Sequence, residues 1–316
     1  MRRRGWSLAA GAALVGLLLW AAVAAAPPAA TGPGGPTPTA TLPPTPLDPA
    51  LAETQPNRFF EAPRFHQGLR EAEARPAPRG AGLLVGGLTS HHALAGVVIS
   101  QLFVELGEHP PHTVIVVGPN HENRGQRIIT GRRAWATDFG PVPADQDLVT
   151  KLVKAGLAEA DDSALAPEHA VGALMPYLKF HAPDAKVVPL ILHREVSPAE
   201  VRRLARFLAP LLGPDVVLIA SVDFSHYLTR REAEANDELT MQAIASFDLD
   251  ALWRMGPDYL DSPASLGLLM LTMQELGATG PETAAHTNSG ELIGSGLIET
   301  TSYFTFKYRL TAGAGE

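Results

Sequence analysis

From about Arg58 onward the chain alternates between short apolar runs and longer stretches in which apolar residues recur at helical spacing. Residues 82–88 (GLLVGGL), 113–117 (TVIVV), 186–192 (KVVPLIL) and 216–221 (VVLIAS) are short, rich in β-branched residues and bounded by turn formers, so they predict strands. Helices are predicted over 93–106, 198–212, 230–245 and 264–276, with Ser197 as the cap of the second, and the alternating stretch 300–306 (TTSYFTF) predicts a late strand. Strands interleaved with helices predict an α/β sheet, and no repeat of 20 to 50 residues is visible.

The pattern changes abruptly before Arg58. Arg2, Arg3 and Arg4 precede an uncharged, mostly apolar run over 6–26 that ends in Ala24-Ala25-Ala26. This is the layout of a signal peptide, and the run is also long enough to span a ~30 Å hydrocarbon core as a retained anchor. Either way the positive cluster stays inside and the rest is exported, secreted or tethered to the membrane by residues 1–26. Residues 27–57 are dominated by Pro, Ala, Thr and Gly, which predicts a disordered linker and a folded domain over 58–316.

Composition narrows the chemistry. The chain of 316 residues carries a formal charge of −8, and its only Lys/Arg cluster is the N-terminal one, so nucleic-acid binding is not expected. It contains no cysteine, which excludes disulfides, Cys-ligated zinc, iron–sulfur clusters and thiol nucleophiles. Any metal must be held by the 11 histidines and the carboxylates.

The polar clusters stand in an ordered relation to the strands. His91 and His92 follow the first, His121 the second, and Asp223, Ser225 and His226 the fourth. Ligands of open α/β sheets sit beyond the carboxyl ends of the strands, so three His-bearing loops can share one crevice. Each cluster also has a plain structural reading. Ser90-His91-His92 could cap a helix, and Gly118-Pro119-Asn120-His121 could be an ordinary turn. Residues 221–227 (SVDFSHY) could close a buried loop, carry a His acid/base oriented by Asp223, or pair Ser225 with His226 as a hydrolase. The last use lacks the Gly-x-Ser-x-Gly elbow. Glu168-His169 reads as loop charges or as a pair that fixes a His tautomer. Trp135 to Gly140 (WATDFG), with Asp145, reads as a structural loop.

Taken in order, Ser90-His91-His92, Gly118 to His121, Trp135 to Gly140, Glu168-His169, Ser221 to Tyr227 and Asn288-Ser289-Gly290 resemble the Memo family, which includes the bacterial and archaeal AmmeMemoRadiSam system protein B. The resemblance implies a single α/β domain with a central mixed sheet flanked by helices, like that of class III extradiol dioxygenases. It implies His91 and His121 as metal ligands and His226 as acid/base beside Asp223, with His92, Glu168, His169 and Ser225 around them. The more familiar family pattern has Pro-His-Ala-Gly-Tyr at the first site and Cys-Gly at the third. Here the first reads Ser-His-His-Ala-Leu and no cysteine exists, so Asp261 is expected in the third ligand position. The alternative is that Asp261 caps the next helix. Two imidazoles and a carboxylate suit a divalent ion such as Fe(II) or Zn(II) and would support dioxygenase-like oxidation of an unidentified small molecule. The competing expectation is a non-catalytic metal-binding or accessory protein. The family name also implies a radical-SAM partner, whose chemistry is cytoplasmic and sits poorly with an export signal.

Overall fold

Inner strands buried on both faces can be apolar along their whole length, and the predicted runs are of this kind. The computed structural model describes residues 54–296 and 299–311. In it β2 (Leu83–Thr89), β3 (Thr113–Pro119), β7 (Lys186–Leu192) and β8 (Val216–Ser221) lie parallel in the order β2-β8-β3-β7. The alternation along β3 shows why. Val114 and Val116 belong to the core on one face of the sheet and Ile115 and Val117 to the core on the other, and all four are fully buried.

Helix Pro198–Leu208 connects β7 to β8, and the helix Gly96–Leu106 connects β2 to β3. Ser197 and Glu200 form a reciprocal capping box on the first of these, as the sequence predicts. Two expected helices are shorter than read. The stretch from Ala93 opens as a 3₁₀ turn, Ala93–Ala95, and the stretch to Leu212 ends in another, Ala209–Leu211.

The sheet is completed by antiparallel pairings: β4 (Ile128–Thr130) with β7 and, on the other side, β11 (Thr300–Leu310) with β2. Beyond β4 lies β6 (Glu159–Ala160), parallel to it. β11 also pairs with β10 (Thr279–Asn288) and with β9 (Phe224–Leu228), so the chain forms a nine-stranded mixed sheet with helices on both faces. β10 was not predicted because it is a partly exposed strand (TGPETAAHTN) with no apolar alternation to read. The helices Ala62–Ala74 and Gln146–Lys154 were missed for a related reason, each burying only a narrow stripe. Gly68 in the first of them is a packing requirement: a Cβ there would lie 2.2 Å from the carbonyl carbon of Gly96, where the two helices touch.

The linker expectation changes at its end. Thr54–Gln55 form β1, which pairs with β5 (Ala134–Trp135), and the Asn57 side chain donates to the Gly172 carbonyl at 2.8 Å. The folded domain therefore begins before Arg58. The rest of the linker and the 1–26 signal or anchor lie outside the described residues, among which no helix is long and apolar enough to cross a membrane.

β11 carries the densest buried electrostatics. Lys307 Nζ and Arg309 Nη1 each lie 2.6 Å from a different oxygen of Glu105, and Arg309 Nε reaches Glu282 at 3.0 Å. Burial alone would raise the Glu105 carboxyl, but hydrogen bonds from Arg309 and Lys307 outweigh it and hold the group below its ordinary value of 4.5. Two predictions follow from these contacts. Glu105→Gln leaves two buried cations poorly compensated and should cost about 3–5 kcal/mol in urea unfolding. Because a depressed carboxyl stabilises above its ordinary value and loses that contribution as pH falls through the folded value, the acid-dependent part of stability should shrink in this variant. A chain starting at Arg58 loses the β1 pairing and the Asn57 bond, and should be less stable than one starting at Leu47 by about 1–2 kcal/mol in the same assay.

Candidate metal centre

The carboxyl ends of β2, β8, β3 and β7 meet at one edge, and the loops leaving them are tied together by backbone. Val222 N–H donates to Thr89 O and Asn120 N–H to Leu192 O, both at 2.9 Å, while Asp261 N–H donates to Asp223 O at 3.0 Å. Side chains on these residues are thus held by rigid elements.

The tautomers of two histidines follow from their partners. Ser221 Oγ donates to the Ala170 carbonyl at 2.5 Å, so it must accept from His91 Nδ1, 3.0 Å away. His91 therefore carries its proton on Nδ1 and presents a lone pair at Nε2. His121 Nδ1 lies 2.7 Å from Glu168 Oε1 and donates to that carboxylate, which turns Nε2 toward Asp261. Glu168 also accepts from the backbone N–H of His121 and of Ala170, capping the short helix His169–Gly172. Glu168 is thus buried and structured rather than one of the solvated loop charges considered from sequence. His169 stacks on His121 with ring centroids 3.9 Å apart, and nitrogens of His91, His121 and His169 all lie within 4.8 Å of one another.

Asp261 enters between the first two. Its Oδ2 is 3.4 Å from His91 Nε2 and 4.0 Å from His121 Nε2. Two ligands about 2.1 Å from one ion lie about 3.0–3.5 Å apart, so these separations need little contraction to share a cation. The helix cap considered for Asp261 is made by its neighbour, since Ser262 accepts from Ser265 N–H at the start of Pro263–Leu276. Asp261 Oδ1 is buried without a hydrogen-bond partner.

Asp223 sits on the other side of His91, with Oδ2 3.6 Å from Nε2. Its Oδ1 accepts from the Ser90 hydroxyl and from His91 N–H. Burial would raise the Asp223 carboxyl, but its electrostatic interaction with His91 and the Ser90 bond outweigh it, so it stays below the ordinary range. Asp261 is pushed well above that range by burial and by the charge of Asp223. Burial likewise lowers His91 to about 3, keeping it neutral. Two buried acidic side chains beside a neutral His91 leave the site without an internal counter-charge, and the orphaned Asp261 oxygen adds an unmet acceptor. These residues fit a divalent cation. His91 has a side chain only 2% exposed and His121 one 31% exposed, so the solvent side of the site is the His121 side.

The remaining expected residues divide. His226 lines the same cleft, but the bond expected from Asp223 is made by the Pro257 carbonyl, 3.2 Å from Nδ1. Burial lowers its pKa, outweighing the attraction of Asp223, and keeps it neutral. His92 also lines the cleft; its Nδ1 accepts from Leu94 N–H, so it caps the 3₁₀ turn. Ser225 does not line it: its fully buried hydroxyl donates to Asp237 Oδ1 at 2.7 Å, and Asp237 Oδ2 binds His286 at 2.9 Å. Ser225 is thereby committed to Asp237, and its expected pairing with His226 is not brought together. The cleft encloses about 760 Å³ and extends from the histidines to Asn123, Arg194, Tyr227, Trp253 and Met255. Of these five only Tyr227 belongs to a motif read from the sequence, at the end of residues 221–227; the other four each lie alone in a loop or helix with no motif around them.

Comparisons with known proteins point to one family. The family model described as Memo-like protein matches residues 87–298. A MEMO1 family protein of Pyrobaculum aerophilum is 28% identical over 234 residues, covering 70% of this chain and 83% of the relative. One from Caldivirga maquilingensis is 27% identical over 228 residues, covering 69% of this chain and 79% of the relative. Among solved structures, an uncharacterized protein of Escherichia coli K12 aligns with a TM-score of 0.46 at 16% identity, covering 70% of this chain and 99% of its own.

Glu168→Gln removes the charge that fixes the His121 tautomer while preserving side-chain shape. Metal affinity, read by competition with a chelator of known strength, should fall about 10–100-fold, with the far-ultraviolet circular dichroism unchanged.

Proposed function

The chain belongs to the Memo-like protein family, and we propose that it is an exported metal-dependent oxidoreductase holding one divalent ion through His91, His121 and Asp261. The observation that carries this reading is the convergence of two Nε2 atoms on Asp261 Oδ2, with the second Asp261 oxygen buried and unpartnered. Two imidazoles and one carboxylate are the open-sided set favoured by Fe(II) in oxygen chemistry, whereas Zn(II) in the same set would supply Lewis acidity. Loss of the family's thiolate in a cysteine-free chain favours a harder ion than Cu(I).

Around that set each residue has a separable task. Ser221 and Glu168 fix the ring protons of His91 and His121, so that both rings offer Nε2. Asp223 supplies a second negative charge against His91. His226, neutral and held at Nδ1 by the Pro257 carbonyl, has Nε2 available to take a proton from a ligand in the cleft. Export is supported by Arg2, Arg3 and Arg4 ahead of the apolar run and by the Pro-rich stretch that follows it.

The test is elemental analysis of untagged protein prepared in anoxic buffer, followed by metal titration of two variants. Wild type should retain close to one equivalent of metal. Asp261→Asn should lose at least about tenfold in affinity, and Ser262→Ala should cost about 1 kcal/mol of stability with affinity unchanged. Wild-type affinity in Asp261→Asn would remove Asp261 from the ligand set, and absence of retained or titratable metal would overturn the reading.

A further inference from the structure

The cleft above the candidate centre has a charge distribution that its floor does not explain. Among the described residues lining it, the carboxylates are Asp223 and Asp261, and the only Lys or Arg is Arg194. A divalent ion on the two carboxylates leaves the floor close to neutral, so the Arg194 charge has nothing in the cleft to balance it. Other arginines of the same loop region are paired: Arg124 with Glu122 at 3.1 Å and Arg127 with Glu200 at 3.3 Å. Arg194 forms no ion pair among the described residues; its backbone N–H is fastened to Asn123 Oδ1 at 2.9 Å, so the loop that carries it is positioned while its guanidinium is left free.

Part of the wall is apolar and aromatic. Trp253, Met255 and Leu260 line one part, and Tyr227 lines the cleft while 75% exposed. Tyr227 and Ser225 both adopt left-handed backbone, with φ of 60° and 38°, on either side of His226. Non-glycine residues are kept in that region only where surrounding structure enforces it, and such strain clusters at ligand sites. Here the enforcing contacts are visible: Ser225 is bound to Asp237, and His226 N–H donates to the Pro257 carbonyl at 3.2 Å. A volume of about 760 Å³ falls within the range of small-molecule sites.

We propose that this cleft binds a small organic anion with an aromatic or branched apolar body, its charge held by Arg194 and its body against Tyr227, Trp253 and Leu260. The inference deepens the proposed function by naming the class of ligand, and it rests on that reading for the neutral floor beneath Arg194 and for which end of the ligand faces the metal. Arg194 is the specificity-determining residue, because a guanidinium recognises a carboxylate by paired hydrogen bonds that an uncharged head group cannot return.

The test uses the full chain and the matched pair 3-phenylpropionate and 3-phenylpropanamide, which share a body and differ in head-group charge. Binding is measured by isothermal titration on metal-free and Zn(II)-loaded protein. Wild type should prefer the carboxylate by about tenfold or more in the Zn(II)-loaded state, and Arg194→Gln should abolish the preference. Tyr227→Gly, which relieves the backbone rather than straining it, should weaken both compounds and leave the preference intact. Equal binding of the two compounds by wild type, no detectable binding of either, or a preference that survives in Arg194→Gln would overturn the proposal; the last would mean that the carboxylate goes to the metal. Unchanged affinities in Tyr227→Gly would overturn the part assigned to that ring. If Zn(II) fails to bind but the metal-free preference is present, the metal reading fails and the anion site stands. If Zn(II) binds and the preference is absent, the anion site alone fails.

Discussion

Two carboxylates buried against one imidazole set the terms for everything at the carboxyl edge of this sheet. Asp223 and Asp261 are joined by reciprocal backbone contacts: Asp261 N–H donates to Asp223 O, and Asp223 N–H donates to Asp261 Oδ2 at 3.2 Å. Their separation is therefore fixed by main chain, and the pair cannot spread apart to relieve its repulsion. In a low-dielectric site such a pair is costly unless a proton or a cation intervenes. Burial and the charge of Asp223 drive Asp261 toward protonation, and the Asp261 oxygen left without a partner shows that protein groups alone do not complete the arrangement.

The histidines follow from the same constraint. An imidazolium at position 91 would neutralise the pair, yet burial keeps His91 neutral, with Ser221 accepting its single ring proton. Glu168 does the equivalent for His121 from the other side, at the end of β3. Each ring is thus oriented with Nε2 toward Asp261 before anything binds, and the cost is borne by the strands on which the side chains stand. Four parallel strands, fully packed on both faces, hold their ends in register, and that rigidity makes preorganisation of a charged site possible.

How much of this was legible in the sequence depends on range. The inner strands were readable because burial on both faces leaves a continuous apolar run, and the capping box at Ser197 because it is local. His91, His121 and Asp261 could be named from a resemblance, but their convergence depends on strand order β2-β8-β3-β7, which no local pattern encodes. Residues 223 and 226 illustrate the difference. Their closeness in sequence suggested that Asp223 orients His226, whereas an acceptor from a distant loop, Pro257, does so and Asp223 turns to Ser90 and His91. Arg194 and Trp253 carried no signal, because a cleft is assembled from single residues of separate loops and helices. β10 escaped because a polar, partly exposed strand has no periodicity to detect.

β11 connects these regions energetically. Near its C-terminal end Lys307 and Arg309 are locked onto Glu105, and near its N-terminal end Thr300 and Ser302 pair with Leu228 and Phe224 of β9, the strand that contains His226. The positive-φ backbone at Ser225 and Tyr227 is thus pinned between that pairing and the Ser225–Asp237–His286 chain. Each strained residue costs of order 1 kcal/mol, an amount that one well-packed strand can sustain without loss of the fold. The segment carrying His226 is consequently held away from the geometry a regular strand would adopt, by β11 on one side and by the bond from Ser225 to Asp237 on the other.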